Sequence, residues 1–221
     1  MAKVKDVKDA LFLLARHGEC KLDKEDRFRG WSDDESAGLD KKGIKEAKIA
    51  GRFISKLPVK IGIIVSPDLN RTIHTAAIIS TILGINDIHT DARLRPLNVG
   101  TFTGKEKEGA DIERYLKNPD EKFPGGESIV DFRKRQEDFY KDLEEWIKSH
   151  PDEKALEIGH LSNVVYWVDL NKSFQHYLES YPTSEEDPIH PGGVIAVLPD
   201  DEVIPLLGEN KKATLSDKGE E

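Results

Sequence analysis

Four side chains, far apart in the chain, are of types that could act together on an anion. Arg16 and His17 end the apolar run of "LFLLARHGEC" (residues 11–20), Arg71 lies in "SPDLNRTIHTA" (66–76), and His160 closes "KALEIGH" (154–160). Cationic or ionisable groups at the end of a core strand are costly to bury unless something anionic meets them there. Guanidinium forks and helix N-termini are two common devices for holding a phosphate. Arg16, His17, Arg71 and His160 therefore have the chemistry to surround one phosphoryl group, provided the fold brings them together.

The elements that would do so alternate between strand and helix signals, the pattern of an α/β layer fold with a mainly parallel central sheet. "LFLLA" (11–15) and "IGIIVS" (61–66) are apolar enough to be buried on both faces. Between them Ile44, Ala47, Ala50, Phe53, Ile54 and Leu57 recur at helical spacing, as a crossover helix requires. A second helix is expected over about 69–83, with Arg71 in its first turn. "GGES" opens a third, with Ser128 and Asp131 at capping-box spacing and Ile129, Phe132, Phe139, Leu143 and Trp146 as its apolar stripe. "GGVIAVLP" (192–199) reads as the last strand. Both His17 and His160 then fall just past the carboxyl ends of buried strands, where open α/β sheets build ligand sites. The expected architecture is a three-layer α/β/α sandwich forming one domain over residues 1–207. Residues 208–221, charged and poor in large apolar side chains, read as a mobile tail.

Composition narrows the classes. A chain of 221 residues can bury one good-sized core and leaves little room for two. With 37% apolar and 34% charged residues it reads as globular, and no apolar run approaches the roughly 20 residues of a membrane span. A net charge of −9 argues against nucleic acid as the main partner, so any phosphate site must be a local positive pocket. "MAKVKDVKDA" lacks the apolar stretch of a secretory signal, and the expected location is cytoplasmic, without membrane attachment. The one cysteine, Cys20, excludes an internal disulfide framework.

The stretch "ARHGEC…FRGWSDDESAGLDKKGIKEA" resembles the opening of the histidine phosphatase superfamily, the group of cofactor-dependent phosphoglycerate mutases and many phosphomonoesterases. "SPDLNRTIHTA", "RLRPLNVGTFTGK", "PGGES" with Arg135 behind it, "ALEIGH" and "HPGGVIAVL" follow in the family's order, so the resemblance covers most of the chain. It implies a phosphoglycerate mutase-like fold and a phosphohistidine intermediate: His17 as nucleophile, Arg16 and Arg71 holding the phosphoryl oxygens, and His160 completing the pocket. It also implies that no metal or other cofactor is needed. The chemistry is coherent, because phosphoryl transfer is catalysed mostly by positioning and charge, and a neutral imidazole is a competent nucleophile. The other ring nitrogen needs a backbone acceptor, for which the Gly18 carbonyl is the nearest choice.

Two departures from the family's pattern matter. Its usual general acid, a glutamate four residues before the "GTFTG" glycine, is Pro96 here. Glu106, Asp111, Glu127 and Asp23 are the replacement candidates, and the phytase-like alternative, an acid after the second histidine, is Leu161. Asp23 itself occupies a position where the family usually has asparagine. An anion so near a phosphate would be repelled unless protonated or turned away. Gly18, Asp23, Trp31, Glu127 and Leu161 are candidate substrate-binding positions, with Trp31 either lining the entrance or packed as a large aromatic. The expected activity is metal-independent hydrolysis of phosphomonoesters, the partner being a small phosphorylated substrate or a phosphoprotein. A phosphohistidine or phosphoprotein phosphatase, a phosphoglycerate mutase-type phosphotransferase and a non-catalytic phosphate-binding relative are the alternatives.

Weaker motifs carry less. "GTFTGKEKE" (100–108) lacks both the glycine spacing and the Ser/Thr of a P-loop. Cys20 lacks the arginine that a cysteine phosphatase needs six residues on, where Asp26 stands. His74, His89, His150, His176 and His190 have no mutual metal-ligand spacing.

Overall fold

The computed structural model describes residues 7–25, 27–34, 37–106, 111, 113–169, 189–199 and 203–209. In chain order its elements are β1 (Phe12–Arg16), α1 (Lys21–Lys24), α2 (Lys41–Ile54), β2 (Ile61–Ser66), α3 (Asn70–Leu83), β3 (Ile88–Thr90), α4 (Glu113–Lys117), α5 (Ile129–Ser149), β4 (Lys154–Gly159), α6 (Leu161–Asp169), β5 (Ile189–Val197) and β6 (Val203–Glu209). The strands form one six-stranded sheet in the order β3-β2-β4-β1-β5-β6. β3, β2, β4 and β1 run parallel, whereas β5 is antiparallel to β1 and to β6. The expected mainly parallel sheet is present, closed on one side by an antiparallel pair.

Alternation along β1 shows how the layers arise. Phe12 and Leu14 point to one face, where they pack with Ile63, Ala155, Phe132, Phe139, Tyr140, Val164 and Trp167 under α5 and α6. Leu13 and Ala15 point to the other, among Ile64, Leu156, Ile158, Ala50, Ile54, Ala76 and Ile79 under α2 and α3. Both faces are covered, which is why the strand is an unbroken apolar run in the sequence. A third, smaller cluster of Phe28, Val99, Tyr115 and Phe123 consolidates the loops beside the strand ends.

Helix signals behave as their residues dictate. Asp40 caps α2 by accepting from the backbone N–H groups of Lys42 and Gly43, and Ser128 and Asp131 form the capping box of α5. Gly84 ends α3 at φ 69°, a conformation suited to glycine. α2 lies hard against the loop after β1: a Cβ on Gly18 would strike the backbone of Gly43, and one on Gly43 would strike that of Glu19.

The sheet also corrects one expectation. The strand around residues 192–199 is not the last, since β6 follows and runs to Glu209, two residues into the stretch read as tail; residues 210–221 lie outside those described. Pro205 hides the strand in the sequence. At an edge its missing N–H disturbs only one ladder, so the proline is tolerated there. Among the described residues no helix is long and apolar enough to cross a membrane.

Candidate active site

The carboxyl ends of β1 and β4 are neighbours, Arg16 lying opposite Gly159 in the ladder. That register sets the rings of His17 and His160 edge to face, 5.1 Å between centroids. Both are almost wholly buried, at 1% and 3% exposure. Nδ1 of His17 is 2.7 Å from the Gly18 carbonyl oxygen. A carbonyl only accepts, so Nδ1 carries the proton and Nε2 presents its lone pair. Burial first, then the Arg29 guanidinium and those of Arg71 and Arg16, hold His17 well below its ordinary pKa, opposed by Asp23. Burial, Arg71 and His17 do the same to His160. Both imidazoles are neutral at physiological pH.

The cations come from three elements. Arg16, the last residue of β1, donates through Nη1 to the Ile189 carbonyl at 2.5 Å, fixing the start of β5 beside the site. Arg71, in the first turn of α3 and fully buried, donates to the carbonyls of Ser32 and Gly30 at 2.8 and 3.0 Å. It thereby pins the loop carrying Arg29. Arg71 Nε and His160 Nε2 are buried and make no hydrogen bond among the described residues. Such orphaned polar atoms in a cationic pocket are what a phosphoryl group, with its several oxygens, satisfies. The four residues singled out in the sequence are thus brought to one place.

Arg29 was missed by the sequence reading. Its Nη1 stands 3.5 Å from His17 Nε2 and also forms an ion pair with Asp23. Burial alone would raise the Asp23 carboxyl; Arg29 and the hydrogen bonds from Cys20 overcome it and hold it well below the usual carboxylate range. The anion is therefore neutralised by a neighbour rather than protonated. Asp23 Oδ2 accepts from the Cys20 backbone N–H at 2.7 Å and from its thiol at 2.9 Å. The thiol, pushed up to about 11 by burial and Asp23, stays protonated. An Asp in an asparagine slot was itself the signal for a compensating cation nearby.

The other candidates are placed elsewhere. Glu127 accepts from Arg135 Nε at 2.9 Å and Nη2 at 2.6 Å, and from the Asn98 backbone N–H at 2.8 Å. Arg135 in turn donates to the carbonyls of Arg93, Arg95 and Pro96. This pair ties α5 to the 93–98 loop, and Glu127 is occupied as a strut rather than poised as an acid. Glu106 is exposed and paired with Arg27, and Asp111 is exposed. Trp31 donates its indole N–H to the Pro96 carbonyl at 2.8 Å and lies under the Arg95 guanidinium, 4.7 Å from Cζ to ring centroid. It is a wall for that loop. Leu161, half-buried, begins α6 behind His160 and has nothing to donate. Among the described residues none of Glu106, Asp111 and Glu127 hydrogen-bonds to His17 or His160.

His17, Cys20 and Asp23 bring their ligand atoms within 4.8 Å of one another, a spacing that could hold a metal ion. Asp23 is already committed to Arg29 and Cys20, and the arginines acting on His17 make the local field hostile to a cation and favourable to an anion.

Comparison with known proteins agrees with this geometry. The histidine phosphatase superfamily (branch 1) matches residues 12–164. A 2,3-bisphosphoglycerate-dependent phosphoglycerate mutase from Methylobacterium sp. (strain 4-46) is 32% identical over 132 residues, covering 56% of this chain and 62% of the relative. A probable phosphoglycerate mutase from Salmonella choleraesuis is 36% identical over 129 residues, 55% of this chain and 57% of the relative. The matched stretches span under two thirds of these relatives. Among solved structures, a phosphoglycerate mutase from Thermus thermophilus superposes with a TM-score of 0.62 at 25% identity, over 88% of this chain and 97% of that one. A mycobacterial glucosyl-3-phosphoglycerate phosphatase shares the fold, with a TM-score of 0.62 at 20% identity over 83% and 87%. With its family match spanning the sheet core and all but the last of the site blocks, the chain belongs to the histidine phosphatase superfamily, branch 1.

Proposed function

We propose that this protein hydrolyses phosphomonoesters through a phosphohistidine on His17. The observation that carries the reading is the fixed tautomer: Nδ1 bound to the Gly18 carbonyl, and Nε2 left as the lone-pair nitrogen with the Arg29 guanidinium 3.5 Å away. Nε2 attacks phosphorus and the ester P–O bond breaks, its electron pair leaving on the departing oxygen, which takes a proton from solvent. Water then attacks the phosphohistidine, the P–N bond breaks, and its electron pair returns to Nε2. Arg16, Arg71 and His160 bind and stabilise the phosphoryl oxygens in both steps.

Hydrolysis is favoured over mutase action because three further arginines are committed to carboxylates. Arg95 is bidentate to Asp68, Arg93 is paired with Asp91 and Asp142, and Arg135 serves Glu127. None of these three is left to bind a carboxylated sugar acid. Pro96 supports a narrower reading: with no carboxylic acid assigned to the leaving group, the best substrates have good leaving groups, as aryl phosphates and protein phosphohistidine do. Small phosphorylated molecules and phosphoproteins are both accommodated by this chemistry.

The test compares an aryl phosphate, an alkyl phosphate and a phosphohistidine peptide, with and without EDTA. EDTA-insensitive turnover, slowest on the alkyl ester by about 10² or more, is expected, since a general acid typically contributes that much. Equal rates on all three would refute the missing-acid argument. Binding of phosphate without turnover would point to a non-catalytic relative.

A further inference from the structure

The pairing of Asp23 with Arg29 is not needed to hold the loop, which Arg71 already ties through the Gly30 and Ser32 carbonyls. It does fix where one guanidinium stands. Arg29 Nη1 is 3.5 Å from the attacking nitrogen, and the Arg29 and Asp23 side chains are only 17% and 10% exposed. In an in-line displacement the leaving group lies on the far side of phosphorus from Nε2, while the three remaining oxygens are spread around the axis between them. A donor this close to Nε2 stands beside those equatorial oxygens and away from the leaving oxygen. The position is therefore wrong for a substitute acid and right for a clamp on charge that spreads over the transferring group.

We propose that Arg29 is a third phosphoryl-binding cation, gripping the equatorial oxygens, and that Asp23 is the positioning residue that aims it. This rests on the reading of His17 as phosphoryl carrier. Cys20 completes the arrangement from behind, its N–H and S–H holding the Asp23 carboxylate so that the other oxygen faces Arg29. The pair adds no net charge, and Asp23 offsets part of the repulsion that Arg29 exerts on Arg71. Arg29 also works on the nucleophile before substrate arrives. His17 is faced by Arg29, Arg16 and Arg71 on the positive side, by Asp23 on the negative side and by neutral His160 and Cys20, and among the arginines Arg29 acts on it most strongly.

The experiment uses the full chain and three variants, Arg29→Gln, Arg29→Lys and the double variant Asp23→Asn with Arg29→Gln, which leaves no buried carboxylate without a partner. Inorganic phosphate binding is measured by calorimetry, and kcat/KM is measured on 4-nitrophenyl phosphate and phenyl phosphate across pH. Arg29→Gln is expected to weaken phosphate binding at least tenfold and lower kcat/KM about 10²-fold, equally on both esters, because an equatorial contact is blind to the leaving group. Arg29→Lys should recover part of both. The acid limb of kcat/KM should move to higher pH in Arg29→Gln, since a cation that favours the neutral imidazole is gone. The double variant should show the same loss of phosphate affinity with an unchanged melting temperature. Unaltered phosphate affinity and acid limb in a folded variant would overturn the assignment, and so would a rate loss that grows with leaving-group pKa. Failure of the unmodified protein both to bind phosphate and to turn over would instead sink the proposed function, and this inference with it.

Discussion

An imidazole can carry a phosphoryl group only while it is neutral and its reactive nitrogen is unprotonated, and both conditions are met at His17 by its immediate neighbours. Substituting His17 by Ala should abolish turnover to below about 10⁻³ of the parent rate while preserving phosphate affinity within an order of magnitude, measured by steady-state kinetics and calorimetry. Retained turnover would exclude His17 as the carrier. Another residue-scale prediction concerns Glu157, fully buried on β4 and hydrogen-bonded by the Tyr140 hydroxyl at 2.9 Å. Burial pushes its carboxyl up to about 8. Between the ordinary carboxyl pKa and about 8 the folded chain holds a proton that the unfolded chain has released. Stability should therefore fall as pH rises through that window, by at most about 1.4 kcal/mol per pH unit from this group. Denaturant melts of Glu157→Gln should show a flatter pH dependence than the parent from pH 5 to 8; identical slopes would show that the group is not protonated when folded. Arg16, His17, Arg71 and His160 were legible in the sequence because each sits at a strand end or in the first helical turn. Arg29 was not, because nothing periodic fixes the course of a loop.

At the scale of elements, the 93–98 loop is held between α5, Trp31 and α6. Its carbonyls accept from Arg135 and Gln136, and Asn163 Nδ2 donates to that of Leu94. Reading Glu127 as a potential acid failed for a physical reason: sequence shows a carboxylate but not its partner, and Arg135 reaches back from the second turn of α5 to take it. Arg135→Met should take the donor from the Arg95 carbonyl and the charge partner from Glu127, which keeps only the Asn98 N–H, costing on the order of 3 kcal/mol. A thermal melt would read this as a fall of several degrees; an unchanged midpoint would mean that the strut is dispensable. Because the loop is held through the main chain at residue 96, its side chain is open to exchange. Pro96→Glu should raise turnover of alkyl phosphates relative to aryl ones by about tenfold or more, and a constant ratio would show that this slot does not reach the leaving group.

At the scale of the whole molecule, the sandwich was legible from its alternating signals and from strands apolar on both faces, while β3, only three residues long, and β6, with Pro205 at the sheet edge, were not. The central place of β1 has a kinetic corollary. Its ladders join it to β4 and β5, both far downstream, so His17 meets His160 and the anchor of Arg16 only after long loops have closed. Such topologies assemble slowly. During refolding from denaturant, recovery of phosphate binding should coincide with the slowest phase of tryptophan fluorescence, and earlier recovery would reveal a pocket that forms without the finished sheet. A half-made chain, emerging from synthesis without its last strands, would then be chemically silent toward every phosphoryl donor it met.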